Sequence, residues 1–272
     1  MKTRRITLTG RRAPVALNLA RRGMPSVDSI HEARRVIRAG GRRFRVLRTT
    51  EVDEYESTPA AVSLRRVLGR RAPSATAVAA ATKARPTGDQ FGGTSRKAAK
   101  LSIAPGPTKT YSELKKLIDS LVADDAMVAH TPKIKTTASS GRVKEEKRNV
   151  KVKAFLYAAS REDDNDFHLI IGRAVTKSPE LYMTMELSGL PPASSPALAT
   201  LTTARDAFKA FFGSDLPGFT YDFYDPPIPV TIAGSLFFDM SHSTGQRPGP
   251  PSLKSRMPTI WEVHPVAAIT LG

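Results

Sequence analysis

Charged and large aromatic side chains occupy opposite ends of this chain of 272 residues. Residues 1–153 carry 34 Lys and Arg against 13 Asp and Glu, whereas residues 154–272 carry 8 against 12. Fourteen of the Phe, Tyr and Trp residues lie after residue 153, and four lie before it. Large apolar side chains build a core, whereas dense like charge opposes burial. The division therefore predicts a compact C-terminal domain that carries a basic N-terminal arm.

The absence of cysteine excludes disulfide bonds, a thiol nucleophile and a thiolate metal site. No apolar run approaches the roughly 18 residues of a membrane span. A basic start at Thr3-Arg4-Arg5 precedes an apolar stretch at 14–20, which has only seven residues and ends in Arg21-Arg22, whereas a signal peptide usually has a longer apolar region. We therefore expect a cytoplasmic protein with no membrane partner.

The N-terminal part divides into two basic segments of different composition. Residues 1–50 hold 14 basic side chains, 13 of them Arg, against two acids. Apolar residues recur at helical spacing from Ile30 to Ile37 and alternate at 43–50, which predicts a small helix–strand element within residues 1–56. Residues 57–109 are rich in Ala, Thr, Ser, Pro and Gly, and we expect a flexible basic linker there.

A helix is predicted at residues 110–125. Thr110 and Glu113 have the spacing of a capping box, in which the two side chains satisfy backbone N–H groups at the helix start. The apolar residues that follow form one stripe: Leu114, Leu117, Ile118, Leu121 and Val122. Such a stripe predicts that the helix docks on the domain that follows it.

From residue 149 the apolar pattern has a period of two, which is typical of strands. Strands are predicted at 149–159, 166–173, 181–187, 228–238 and 259–271, with a helix at about 196–212 between the third and the fourth. Five strands with a helix in that place have the element order of an OB-fold. The predicted fold class is mainly β with α, a five-stranded OB-fold-like barrel at residues 110–272 preceded by the docking helix and the arm. A generic five-stranded α+β barrel is the alternative.

Residues 110–272 also contain several distinctive runs, which are EDDNDFHLIIG, YMTMELSGLPP, ARDAFKAFFG, YDPPIPVTIAGSLFFDMSH and WEVHPV. Together these runs resemble a group of uncharacterised bacterial proteins. The resemblance implies a shared OB-like fold for this part of the chain. It implies no activity, cofactor or catalytic residue.

Strand alternation places polar and aromatic side chains on one face of the predicted barrel. The members of this face are Lys151, Lys153, Phe155, Tyr157, His168, Tyr182, Thr184, Glu186, Glu262 and His264. Lysines interleaved with aromatic rings are typical of single-stranded nucleic-acid binding, in which cations contact phosphates and rings stack on bases. Alternatively, Phe155 and Tyr157 pack under the helix at 110–125.

The arm and a long loop at 239–258 supply further cations for an anionic partner. The predicted nucleic-acid contacts are Arg42, Arg43, Arg45, Lys151, Lys153, Phe155, Tyr157, Arg247, Lys254 and Arg256. Arginine suits bidentate contact with phosphate, and such binding weakens as the salt concentration rises.

Four carboxylates crowd the turn between the first two predicted strands, at Glu162, Asp163, Asp164 and Asp166. They would repel phosphate and could bind Ca²⁺, which prefers oxygen ligands. Their spacing is not that of a Ca²⁺-binding loop. A solvated hairpin turn is therefore the favoured interpretation, because Asp and Asn are ordinary turn residues.

One set of histidines and carboxylates could support catalysis or a transition metal. Its members are His168, Glu186, His242, Glu262 and His264, with Asp239 as a further carboxylate. Imidazole and carboxylate ligands suit Zn²⁺, and histidine can act as a general base near neutral pH. No HExxH motif, close His–x–His pair or nucleophile elbow accompanies them, so no metal ion or cofactor is expected and structural roles are favoured.

Three functions remain open at this point. The favoured one is a non-enzymatic nucleic-acid-associated protein, with the arm on phosphates and the barrel as a second contact, on single-stranded or non-specific nucleic acid. The first alternative is a protein-interaction module that is tethered by the basic arm and binds an acidic protein. The second alternative is a His/Glu metal-dependent enzyme on the face of the barrel.

Overall fold

The computed structural model describes residues 22–39, 42–53, 88–245 and 247–272. The strands are β1 (Ile30–Ala39), β2 (Arg42–Thr49), β3 (Thr108–Tyr111), β4 (Asn149–Arg161), β5 (Phe167–Gly172), β6 (Tyr182–Leu187), β7 (Asp222–Phe238) and β8 (Trp261–Leu271). The helices of the described residues are α1 (Lys97–Lys100), α2 (Leu114–Ile118), α3 (Asp124–Val128) and α4 (Leu198–Phe212), with several short 3₁₀ turns. The expectations for residues 1–21, for Gly40-Gly41 and for most of the predicted linker, 57–87, lie outside the described residues.

The strands form one mixed sheet in the order β1-β2-β7-β8-β6-β5-β4-β3. An additional pairing of β7 with β4 brings β4, β5, β6, β8 and β7 into a partial ring of five strands. Most pairs are antiparallel, but β6 runs parallel to β8 and β3 runs parallel to β4. The β6–β8 contact is short, with Thr184 opposite Glu262 and Met185 opposite Val263. The protein is therefore mainly β, with a few helices.

The five strands and the helix predicted from residue 149 onward are present in the predicted order. In β4, Val150, Val152 and Leu156 point into the main core, while Lys151 and Lys153 are exposed. Helix α4 covers that core with Ala204, Phe208 and Phe212. Strand β7 begins at Asp222, before its predicted start at 228, because its first residues pair with β2.

The helix predicted from Ile30 to Ile37 is wrong, since these residues belong to β1, which pairs antiparallel with β2. Val36 and Ile37 are β-branched and so favour a strand. The neighbouring strand predicted at 43–50 is present as β2, and its Phe44 and Val46 lie in the main core. The apolar pattern of Ile30–Ala39 is compatible with either a helix or a strand, and pairing with β2 makes it a strand.

The helix predicted at 110–125 is also wrong as a single element. Thr110 lies in β3 opposite Lys151, and the chain then forms the two short helices α2 and α3. Thr110 and Glu113 therefore form no capping box, and the backbone of Glu113 is extended. Val122 lies between the two helices, where its carbonyl accepts a hydrogen bond from the Trp261 indole N–H. Its side chain is exposed, so the predicted apolar stripe does not continue through this residue. Leu114 and Leu117 are nevertheless buried as the stripe predicted.

Residues 88–109, which the sequence assigned to the flexible linker, pack on the partial ring. Arg96 forms a two-pronged ion pair with Glu146, with both distances 2.7 Å and both side chains at most 1% exposed. Phe91 is buried, and Gln90 forms a parallel bridge with Leu190. We call residues 88–104 the cover segment. Within the described residues, no helix has the length and apolar character needed to cross a membrane.

Candidate metal centre

A cluster of carboxylates and imidazoles lies on three neighbouring strands beneath the cover segment. We call it the carboxylate–histidine cluster, and its members are Glu162, Asp166, His168, Glu186, Glu262 and His264. Strand β6 lies between β5 and β8, so that Glu186 is opposite His168 on one side. On the other side, the parallel register of Thr184 with Glu262 brings Glu186 beside His264.

The ring of His264 is surrounded by carboxylates. Its Nδ1 lies 2.7 Å from Glu186 Oε2 and 3.5 Å from Glu262 Oε1, and its Nε2 lies 3.4 Å from Asp166 Oδ2. The contact of Nε2 with Asp166 does not have the direction of a hydrogen bond, so Nε2 is without a hydrogen-bond partner. The side chain is fully buried, as is that of Asp166.

Further buried atoms of the cluster also have no hydrogen-bond partner. They are Asp166 Oδ2, His168 Nε2, Glu186 Oε2 and Glu262 Oε1. A buried polar atom without a partner costs about 1–3 kcal/mol, so folded proteins rarely keep several in one place. The cluster therefore has the chemistry of a site that is completed by a bound group.

The carboxylates of the cluster shift one another's ionisation. Burial, reinforced by the charges of Asp164 and Glu186, raises the pKa of Asp166 well above its usual range. Burial, reinforced by Glu186 and Asp239, does the same to the pKa of Glu262. Burial also opposes ionisation of Glu186, but His264 and Lys100 outweigh it and hold the pKa of Glu186 well below its usual range. Negative charge is thus concentrated on Glu186, whose strand β6 pairs with both β5 and β8.

Lys100 of the cover segment lies over this cluster. Its Nζ is 3.9 Å from both Asp164 Oδ2 and Glu186 Oε2. Burial opposes its charge, but Glu186, Asp164 and Asp166 outweigh burial and raise the pKa of Lys100 well above its usual range. Lys100 is therefore protonated where it faces the carboxylates.

The donor set fits a divalent metal ion. Two groups of three buried residues have one potential ligand atom each within 4.8 Å of the others: Glu162, His168 and Glu186, and Asp166, Glu186 and His264. Nitrogen and oxygen ligands bind Zn²⁺ at about 2.0–2.2 Å, so ligand atoms around one ion lie roughly 3–4 Å apart. Imidazole with carboxylates also suits other first-row ions such as Mn²⁺ and Fe²⁺.

The predicted catalytic candidates are largely brought together. His168, Glu186, Glu262 and His264 belong to the cluster, whereas His242 lies in a 3₁₀ turn with its Nε2 3.5 Å from Asp239. Asp239 lies close enough to the cluster for its charge to raise the pKa values of both Glu262 and Lys100. The structure therefore places His242 at the margin of the cluster.

Sequence reasoning assigned Glu162 and Asp166 to a solvated turn, and this interpretation is wrong for both. Asp166 Oδ1 accepts a hydrogen bond of 2.6 Å from the Gly189 N–H, and Glu162 contacts His168 Nδ1. Only Asp163 of the four acids in this turn is exposed. A carboxylate two residues before a strand histidine, as in Asp166–His168 and again in Glu262–His264, was the signal that could have revealed the cluster. The period of a strand places such a pair on one face.

Part of the predicted lysine–aromatic face is exposed, and part of it is buried. Lys151 and Lys153 are exposed and Phe155 is half-buried, but Tyr157 is buried and donates a hydrogen bond of 2.6 Å to the Arg173 carbonyl. Tyr157 and Tyr182 belong to a second core, whose remaining large members include Tyr221, Phe223, Leu253 and Met257. The 239–258 loop, which was predicted to supply cations for a ligand, thus covers part of this face with Leu253 and Met257.

The other predicted nucleic-acid contacts are spread over the molecule. Arg42 and Arg43 are exposed at the start of β2, and Arg45 pairs with Asp225. Arg247 pairs with Asp124, and Arg256 Nε lies 3.3 Å from Glu180 Oε1. Lys254 is half-buried in a 3₁₀ turn. Carboxylates thus partner three of these arginines.

Comparisons with protein-family models, curated proteins and solved structures gave no match to this chain. The resemblance of residues 110–272 to a bacterial group therefore stays a prediction. Function is inferred from the geometry and charge of the described residues.

Proposed function

We propose that this protein binds a divalent first-row transition-metal ion at the site formed by Asp166, Glu186 and His264, with Glu262 as an additional carboxylate. The observation that carries the proposal is the ring of His264, which is fully buried among three carboxylates, with Glu186 and Glu262 beside Nδ1 and Asp166 beside Nε2. One ring nitrogen can bind the ion together with a carboxylate on its own side, while the carboxylate beside the other nitrogen orients the ring, an arrangement common at protein metal sites.

A metal ion accounts for the cluster better than a network of hydrogen bonds does. Asp166 Oδ2 is buried without a hydrogen-bond partner, and Asp166 and Glu186 lie within 4.8 Å of each other and of His264, so a cation between these residues could contact both carboxylates. A divalent ion would also offset the mutual repulsion of these buried carboxylates, which Lys100 alone offsets only from the side of Glu186 and Asp164. The absence of cysteine leaves oxygen and imidazole ligands as the charged or strongly basic donors.

The accessible side of the ion would be the side that faces Lys100 and Asp164. Their side chains are 12% and 19% exposed, more than those of the cluster itself. A bound metal can polarise a substrate oxygen or lower the pKa of bound water. Lys100 would hold positive charge at the same entrance, which suits an anionic substrate group.

Metal analysis of the full chain purified without chelator and dialysed against Zn²⁺ or Mn²⁺ tests the proposal. We expect about one tightly held ion per chain or more, and its loss in Glu186→Gln, because that change removes the shared carboxylate charge. Asp125→Asn removes an exposed carboxylate elsewhere and should keep the metal. Protein that is free of metal after dialysis, or a Glu186→Gln variant that retains it, would reject the proposal.

We also propose that the partial ring is an OB-like barrel. The OB-fold is a five-stranded, partly open barrel, and here five strands close through a short β6–β8 contact. Helix α4 lies between the third and fourth strands of this ring. An experimental structure in which β6 and β8 are unpaired would contradict this assignment.

A second candidate function is binding of single-stranded nucleic acid in a groove next to β4. The groove has a volume of about 400 Å³, and its lining includes Lys153, Phe155 and Lys177, together with Arg173, which is paired with Glu113. Cations beside a partly exposed aromatic ring suit phosphates and a stacked base. The Arg-rich residues 1–50 would add sequence-independent affinity.

Titration of a labelled oligonucleotide with increasing salt tests this second function. Lys153→Ala/Lys177→Ala should weaken binding and reduce its salt dependence, because two phosphate contacts are lost. Lys133→Ala/Lys135→Ala removes the same charge from exposed positions away from the groove and serves as the control. If both double variants lose the same affinity for the oligonucleotide, the binding depends on the overall positive charge and not on the groove. Binding of an acidic protein in place of the oligonucleotide would favour the interaction-module alternative.

A further inference from the structure

We infer that the metal site is dinuclear, with a second divalent ion held by His168 and Glu186, with Glu162 orienting the His168 ring and with Glu186 bridging the two ions. This inference rests on the proposed function, because it places a second ion beside the one held by Asp166, Glu186 and His264. Both three-residue groups are buried, and Glu186 is the one residue that belongs to both. A carboxylate has two oxygens and can therefore bind one ion with each.

The strand arrangement repeats the same donor pair on both sides of Glu186. Strand β5 and the residue before it supply Asp166 and His168, and β8 supplies Glu262 and His264. Strand β6 pairs with both of these strands and carries Glu186 between them. The fold thus offers two similar half-sites, each with one imidazole and its own carboxylates, on either side of one shared carboxylate.

His168 supplies the observation that is independent of the first site. Its Nδ1 is engaged by the Glu162 carboxylate and lies 3.3 Å from the Tyr221 hydroxyl. Its Nε2 is without a hydrogen-bond partner, although the residue is only 2% exposed. A carboxylate that holds one ring nitrogen and leaves the other available is the arrangement that prepares a histidine for a metal ion.

Two metal ions that share a carboxylate would lie about 3.5–4 Å apart and would couple magnetically when both are Mn²⁺. We would saturate chelator-treated full-length protein with Mn²⁺, measure the bound metal after desalting and record the electron paramagnetic resonance spectrum. The expected result is about two ions per chain with the spectrum of an exchange-coupled pair. His168→Ala should retain about one ion per chain and show the spectrum of an isolated ion.

His31→Ala is the control, because His31 is exposed on β1 and should leave both ions in place. If His168→Ala fails to fold by circular dichroism, Glu162→Gln tests the same half-site. One ion in the wild-type protein, with no change in either variant, would overturn the second ion and leave the first intact. A wild-type protein that binds no ion would overturn both proposals. Two isolated-ion signals in the wild type would overturn the bridging role of Glu186.

Discussion

Glu186 of β6 and His264 of β8 lie side by side across a parallel strand pair, with Glu186 Oε2 2.7 Å from His264 Nδ1. Both residues are buried. The contact exists because the chain closes the five-strand ring between these two strands. Strands β6 and β8 pair through only two residue pairs, and the carboxylates and imidazoles meet beside this short pairing.

Divalent metal should stabilise the folded protein. Adding Zn²⁺ or Mn²⁺ to chelator-treated protein should raise its Tm, because a ligand at a hundredfold excess over its Kd stabilises the native state by about 2.7 kcal/mol. Differential scanning calorimetry measures the shift. Glu186→Gln should lose it and Asp125→Asn should keep it, since only the first removes a cluster carboxylate. An equal rise of Tm in Glu186→Gln would assign the stabilisation to surface binding.

The Arg96–Glu146 ion pair should be a main anchor of the cover segment. Arg96→Met leaves the carboxylate of Glu146 buried without its cation, which should lower the free energy of unfolding by about 3–5 kcal/mol. Glu146→Gln in the same chain removes that charge while its amide oxygen can still accept from the Phe238 N–H. The double variant should therefore be more stable than Arg96→Met alone in urea unfolding. A loss below about 1 kcal/mol in Arg96→Met would show that the segment is held elsewhere.

Asp89 should stabilise the protein at neutral pH and lose that effect in acid. Partial burial opposes its ionisation, but hydrogen bonds from Lys209 and Arg205 outweigh burial and lower the pKa of Asp89. A lowered folded-state pKa means that the contribution is complete above pH 3.8, the ordinary value, and disappears as the pH falls through the folded-state value.

The measurement is the difference in unfolding free energy between the wild type and Asp89→Asn from pH 7 downward. The difference should be about 1–3 kcal/mol near pH 7, because Arg205 is buried and loses its charged partner. It should shrink below pH 3.8. Asp206→Asn, on the exposed side of α4, should show a smaller difference at every pH. A difference for Asp89→Asn that grows in acid would contradict the assigned direction.

Gly172 at the end of β5 should not tolerate a side chain. A Cβ atom there would lie 2.6 Å from Tyr182 Cδ1 and 2.7 Å from Tyr157 Cε2, in the second core. Gly172→Ala should therefore destabilise the protein by about 1–3 kcal/mol through overpacking. At Gly141 a Cβ would meet no atom within 4 Å, so Gly141→Ala should be close to neutral. Thermal unfolding of both variants compares them, and equal Tm values would mean that the two tyrosines move apart easily.

The strands from residue 149 onward were predictable because alternation is a local property of the sequence. Val150, Val152 and Leu156 alternate with exposed lysines in β4, and both sets lie where the pattern put them. The same local logic failed at Ile30–Ala39 and at residues 110–125. In those segments a strand partner, β2 in one case and β4 in the other, outweighed a pattern that also satisfied a helix.

Four of the six members of the carboxylate–histidine cluster were already visible in the sequence. Alternation placed His168, Glu186, Glu262 and His264 on one face, because side chains two residues apart in a strand point the same way. It could not show that Glu162 and Asp166 turn inward, since turn acids are ordinarily solvated. Nor could it bring Lys100 over the cluster, because that contact spans 86 residues from Lys100 to Glu186.

The sequence by itself determined the segregation of charge from aromatic residues, the strand order of the C-terminal part and the polar face of its strands. These features follow from local periodicity and composition, which need no knowledge of distant partners. Only the tertiary structure decided which part of that face is open and which is buried. Closure of the ring and docking of the cover segment bring together carboxylates and imidazoles that are far apart in the chain, and their shared burial makes them a candidate metal centre.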